Sequence, residues 1–344
     1  MKTQNSPLAS GNWGFARLFL LVLAPCLGVG STHAQEAQTQ TPLVLDRTIP
    51  LPRVSGRIDH IAVDVEHRRV FIAELGNGSV DAVDLSSGET HRIERLKEPQ
   101  GLAYLPDRNE LVVACGGDGT IRFFDANSLA PLGSIALGDD ADNVRIDPRT
   151  GDIVVGYGSG ALAIIDPARR AVARTVALPA HPEGFQIDGG RRTAYVNLPD
   201  ARRVAVVDLD AGRASASWPA SHGANFPLAL SRTTAMFGIV YRSPSRLVLV
   251  DPSSGAIRQD LPACGDADDI FFDDERHRIY VSCGAGQIDI FEQTGSRYVA
   301  AGHVATRPGA RTSLFVPSLE RLFVAAPAGA TSSDAALLVY RPTP

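Results

Sequence analysis

An all-β ring of repeated units is the fold class this sequence predicts, on three observations. A strand-turn-strand unit recurs seven times at spacings of 41 to 44 residues, a period in the range of propeller blades. Its strands are rich in β-branched and aromatic residues and are bounded by turn formers. Beyond the amino-terminal segment no stretch carries a long helical periodicity. A unit of four short strands cannot bury both faces alone, so the units are expected to pack side by side around a central channel as a seven-bladed β-propeller.

Residues 1–34 carry Lys2 and Arg17, an apolar run at 18–29 and the small-residue end Ser31-Thr-His-Ala34, the pattern of a secretory signal. That run of 12 residues is shorter than the roughly 20 that cross a bilayer, so no stable membrane span is expected after signal removal. Leu23-Ala-Pro-Cys26 is similar to a lipidation box, but Pro25 argues against it. Residues 35–41 read as a flexible leader and 42–344 as one propeller domain, periplasmic or secreted. Cleavage removes two basic residues and no acidic ones, leaving 31 Lys+Arg against 38 Asp+Glu, a formal charge of −7. Nucleic acid is therefore not an expected partner, since affinity for phosphates rests on surplus positive charge.

The second strands align at 70–73, 111–114, 153–156, 194–197, 235–238, 279–282 and 322–325. Third strands follow at 79–84, 120–125, 161–166, 203–208, 246–251 and 287–292, and after a longer loop at 337–340. Arg47-Thr-Ile-Pro-Leu-Pro52 matches Arg174-Thr-Val-Ala-Leu-Pro179, a fourth strand, yet it precedes the first blade. It is expected to complete the seventh blade and close the ring, removing unpaired strand edges.

Tyr195-Val-Asn197, followed by Pro-Asp-Ala-Arg202 and then Val204-Ala-Val-Val-Asp208, resembles the YVTN-type (YncE-like) β-propeller repeat. In that repeat a Tyr-Val-Thr-Asn strand leads to a strand ending in Ile-Asp. Tyr280-Val-Ser282 is a second close match, and the resemblance extends over the whole mature chain. It implies an exported seven-bladed propeller and assigns no reaction.

Aspartates ending third strands (Asp84, Asp125, Asp166, Asp208, Asp251) and first strands (Asp64, Asp147, Asp188, Asp273) precede turns, where they can accept backbone N–H bonds. Asn197 is read likewise as a turn group. Cys115-Gly-Gly-Asp-Gly119 leads into a strand and not a helix, so it is a turn and not a phosphate loop. Cys115, Cys264 and Cys283 remain after cleavage and allow at most one internal disulfide. A Cys264–Cys283 bridge is open, Cys115 being too distant to join, and so is burial of all three as small hydrophobes.

Counting back from each aligned strand places Asp59, Gln100, Asp142, Glu183, Phe226, Asp268 and Arg311 at one equivalent position, just before each innermost strand. They should gather at the channel mouth. His60, Asn143, Asp269, Asp140, Asp266 and His181 lie within two residues of it. Blades 3 and 6 share a phrase, Ala141-Asp-Asn-Val144 and Ala267-Asp-Asp-Ile270.

Crowded carboxylates repel unless cations, arginines or raised pKa values relieve them. One reading is a divalent cation on Asp142, Asp268 and Glu183, with calcium or magnesium on oxygens, or zinc if His60 or His181 takes part. The other is a structural ring in which each carboxylate caps N–H groups of the next blade and Arg311 neutralises the surplus. The turns between first and second strands all carry arginine: Arg68, Arg69, Arg108, Arg149, Arg191, Arg192, Arg232, Arg276, Arg278 and Arg321. Local pairing with acidic neighbours is expected there, an acidic partner being the alternative.

Neither a haem-attachment motif nor a Gly-x-Ser-x-Gly elbow is present. The functional expectation is an exported propeller binding a small molecule, cation or protein partner at an acidic mouth formed by Asp59, Gln100, Asp142, Asn143, Glu183, Asp268, Asp269 and Arg311. A metal-dependent hydrolase or lyase of the lactonase kind, with His60, His181 or Glu183 as base, and an envelope scaffold are the alternatives.

Overall fold

Runs such as Arg69–Glu74, Glu110–Cys115 and Arg278–Cys283 are apolar at consecutive positions and not alternate ones, the pattern of strands covered on both faces. In the computed structural model, which describes residues 41–234, 236–329 and 334–344, these become second strands of seven four-stranded antiparallel sheets. The sheets are the blades of a β-propeller. The expected signal segment, and the leader up to residue 40, lie outside the described residues. Among the described residues no helix is long and apolar enough to cross a membrane.

The innermost strands are Ile61–Asp64, Pro99–Leu105, Ala141–Ile146, Phe185–Asp188, Gly223–Leu230, Ala267–Asp273 and Thr312–Val316. Outermost strands such as Pro131–Ala136 and Arg213–Pro219 are largely exposed. The core lies between blades, in seven apolar clusters each drawn from two neighbours. Phe71, Val80 and Ile93 of blade 1 pack on Leu102, Leu111 and Phe124 of blade 2, each buried side chain contributing about 1.5–3 kcal/mol. The ring closes as expected: Leu43–Pro50 pairs antiparallel with Ala336–Pro342, Ile49 opposite Leu337.

The turn aspartates act as their position predicts. Asp84 accepts the Ser86 N–H at 2.8 Å, Asp125 that of Ser128 at 2.7 Å and Asp208 that of Ala211 at 2.8 Å. In the first hairpins Asp147 accepts from Arg149 at 2.9 Å and Asp188 from Gly190 at 3.0 Å. Most turn arginines are paired, among them Arg69 with Asp64 (2.6 Å), Arg192 with Asp147 (2.9 Å) and Arg276 with Glu320 (2.5 Å). Cys264 and Cys283 form a disulfide, and Cys115 is a buried free thiol.

Two expectations are corrected. The second strand of blade 5 is Phe237–Ser243, two residues later than 235–238. The turn after Ser231 has the length found in the other blades, Ser231 facing Met236 as Asp188 faces Thr193, so the extra residues lie ahead of the innermost strand. The Ser231 N–H donates to Met236 O, its Oγ accepts from the N–H groups of Thr233 and Thr234, and it donates to Asp274 of blade 6 at 2.7 Å. The insertion falls in the exposed outer strand and the loop after it, where an apolar pattern has nothing to register. Asn197 is no turn group either. Fully buried, it donates to Phe226 O (3.0 Å) and Pro227 O (3.3 Å) and accepts from Asn225 (3.1 Å), tying blade 4 to blade 5.

Candidate functional site at the channel mouth

Each innermost strand starts near the channel, and four of them are irregular where the aligned residues fall. The sheet register shifts between Pro99 and Leu102, Ala141 and Val144, Asn225 and Leu228, and Ala267 and Asp269. Such bulges re-aim side chains. Gln100, Asp142, Phe226 and Asp268 lie inside them, and with Glu183 and Arg311 they line a mouth cavity of about 200 Å³. Glycine makes the close spacing possible, since a Cβ on Gly101 would lie 2.1 Å from Asp142 O and one on Gly184 2.4 Å from Phe226 O. Asp59, His60, Asn143 and Asp269 line a narrower cavity of about 60 Å³ that shares Asp142, Glu183 and Asp268 with the mouth.

The expected acidic surplus is largely cancelled. Asp268 is gripped by Arg242, and by Arg311 Nε at 2.9 Å. Arg311 also reaches both oxygens of Asp266, at 2.7 and 2.8 Å. Arg57 stands 2.9 Å from Asp59, and the Arg242 guanidinium lies 4.0 Å above the Phe226 ring. Gln100 donates to Asp140 at 3.2 Å. Of the capping expected in a structural ring, Asp269 provides an instance, accepting the Ser313 N–H of the next blade at 2.6 Å.

The histidines join this network as cations. Burial opposes charge on His60, but Asp59 Oδ1, 3.2 Å from Nδ1, and the Asp142 charge outweigh it and raise the imidazole to about 9. Its Nε2 meets Asn143 Oδ1 at 2.9 Å. Asp142, 3.8 Å from Nε2, likewise raises His181 to about 9 against its burial, with Nδ1 donating to Gly158 O at 2.6 Å. An imidazolium has no lone pair for a proton or a metal, so neither ring is poised as the general base considered above.

Glu183 differs from its neighbours. Its N–H donates to Asn197 O at 3.0 Å, but its carboxylate forms no hydrogen bond or ion pair with a described residue, and burial together with the Asp142 charge pushes it up to about 7 despite His181. Burial also raises Asp269 to about 7, against the pull of His60. Among the described residues no three His, Cys, Asp or Glu side chains are grouped to hold a metal ion.

Three basic groups escaped the sequence reading. Arg57 precedes the ring position by two residues. Arg242 stands where blades 2, 3 and 6 carry Gly116, Gly158 and Gly284, a correspondence that shows only once the second strand of blade 5 is set at Phe237–Ser243. Arg145 follows Asn143 by two residues and lines the same narrow cavity, as strand alternation would have indicated. Six basic side chains thus meet seven acidic ones.

No family model and no curated protein matches this chain. Solved structures do. A chain of the Kuenenia stuttgartiensis hydrazine synthase is similar over 86% of this chain and 96% of its own, with TM-score 0.69 and 15% identity. A chain of a mitotic checkpoint complex is similar over 95% of this chain and 100% of its own, with TM-score 0.75 and 15% identity. At such identity the likeness is one of fold, and it places this chain among β-propellers.

Proposed function

We propose that this chain is an exported ligand-binding propeller of the YVTN type whose channel mouth receives a small polar ligand. Glu183 carries the reading. Alone among the carboxylates at the aligned ring positions, its carboxylate has no hydrogen bond or ion pair with a described residue, it lines the cavity of about 200 Å³, and it is pushed up to about 7. Shifted ionisable groups in a concavity are a recognised mark of binding sites. Around it the arginines, histidines and aspartates hold one another in place, so donors and acceptors are preorganised. A ligand with N–H or O–H donors suits Glu183 and Asp142, and its acceptors suit Arg57. The family assignment rests on the Tyr195-Val-Asn197 phrase and the seven-bladed ring, and export on the pattern of residues 1–34.

Thermal melts with a panel of amino acids, sugars, polyamines and the chlorides of calcium, magnesium and zinc test this. A polar organic compound should raise the melting temperature of the wild type, and Glu183→Gln or Asp142→Asn should abolish the shift while leaving the circular dichroism spectrum unchanged. A shift by a divalent cation alone replaces the ligand reading with the cation one. No shift by any compound removes the mouth as a site.

A further inference from the structure

We propose a second binding site, for a small anion carrying an apolar group, in the cleft where the last blade meets the first. The repeat provides an internal control, because the cleft between blades 3 and 4 has the same frame. Arg47 and Arg174 hold the same place in their matching phrases. Arg47 Nη1 donates to Leu85 O at 2.6 Å and Arg174 Nη1 to Asp210 O at 2.6 Å, each across the turn that ends the next blade's third strand. Arg68 and Arg192 also correspond, with φ of 53° and 47°, and their carbonyls accept the N–H of Leu85 (2.8 Å) and Leu209 (3.0 Å).

The counter-charges do not correspond. Arg192 is surrounded by Asp147 at 2.9 Å, Asp210 at 2.6 Å and Asp152 at 3.9 Å. At the ring closure those three places are taken by Val316, Ser86 and Arg321, as the strand pairings show. Carboxylates have become an apolar residue, a hydroxyl and a third arginine. Arg68 makes no side-chain hydrogen bond or ion pair among the described residues. Asp46 is the one acidic residue lining the cleft, and Arg321 engages it at 2.9 Å.

These groups surround a cavity of about 220 Å³ with Arg47, Arg68 and Arg321 on its rim and Ile49, Leu85 and Phe323 on its floor. Guanidinium forks match planar oxyanions, and the floor suits an apolar body, so a monocarboxylate with a compact hydrocarbon group fits both. Such a ligand touches both ends of the closed ring, and binding the folded state alone stabilises it.

Titration calorimetry on the purified protein tests this with benzoate, with benzamide as the same body without charge, and with acetate as the charge without the body. Benzoate should bind saturably and more tightly than either. Arg68→Ala should weaken it by about tenfold, the worth of one charged contact. Ser86→Asp, which restores the carboxylate present in blade 4, should do the same without touching the core, and Arg149→Ala in another blade's turn should change nothing. Absence of saturable benzoate binding, equal binding of benzamide or acetate, undiminished binding by Arg68→Ala or Ser86→Asp, or an equal loss in Arg149→Ala overturns the proposal.

Discussion

Asn197 shows how one amide can matter more than its place in a motif suggests. The Tyr-Val-Asn phrase marks the end of a strand, but what the side chain does depends on the neighbouring blade, whose Phe226 and Pro227 carbonyls it satisfies. Those groups are buried, so Asn197→Ala strands them and should cost about 1–3 kcal/mol in urea unfolding. A change within about 0.5 kcal/mol, the range of ordinary surface substitutions, would falsify this account. The turn aspartates were readable from local sequence because their partners lie two or three residues away. Asn197 was not, because its partners lie about 30 residues on.

At the scale of elements, the disulfide of blade 6 joins the end of a second strand to the loop that enters the mouth. Cys264 lies two residues before Asp266, which holds Arg311, and the Cys264 N–H donates to Asp289 at 2.7 Å. Gly284, next to Cys283, leaves room for Asp266, since a Cβ there would lie 2.1 Å from its Oδ2. The bridge therefore braces the acidic loop as well as the blade. With a sequence separation of 19 residues, replacing both cysteines by serine should cost about 3 kcal/mol on loop-entropy grounds. The urea midpoint should fall, and an unchanged midpoint would count against a structural role. In blade 5 the common offset between ring residue and second strand is recovered only with that strand at Phe237–Ser243, which sets Phe226 of Gly223–Leu230 level with the other six ring residues.

Over the whole molecule the shifted groups combine into one pH dependence. Glu183 and Asp269, at about 7, and the buried Glu74, at about 8 through burial and the adjacent Asp81, bind protons more tightly folded than unfolded. Their stabilising contribution is complete below about pH 4, where the unfolded carboxyls are also protonated, and is lost as pH rises from there to those values. His60 and His181, raised to about 9, contribute fully below about pH 6.5 and lose it as pH rises through 9. Asp59 and Asp64 are held low despite burial, by bonds from His60 and Arg69 respectively, and lose stabilisation only in acid. Stability should therefore be greatest on the acid side of neutrality and fall from about pH 4.5 to about 9, the three carboxyls acting up to about pH 8 and the histidines from about 6.5 upward. Melting curves across that interval check this, and Glu74→Gln should flatten the part below about pH 8. A flat or rising wild-type profile would contradict it.

By itself the sequence determined the number of blades, the closing strand, the turn aspartates and the aligned ring positions that face the channel mouth. Each blade solves the same packing problem, so its solution repeats at a measurable period. Only the tertiary structure decided the electrostatic character of that mouth. Arg57, Arg145 and Arg242 come from different offsets in different blades, and charge balance depends on distance through space, which no period records. The same holds at the ring closure, where Val316, Ser86 and Arg321 are unremarkable until the fold places them around Arg68, where blade 4 keeps three carboxylates around Arg192.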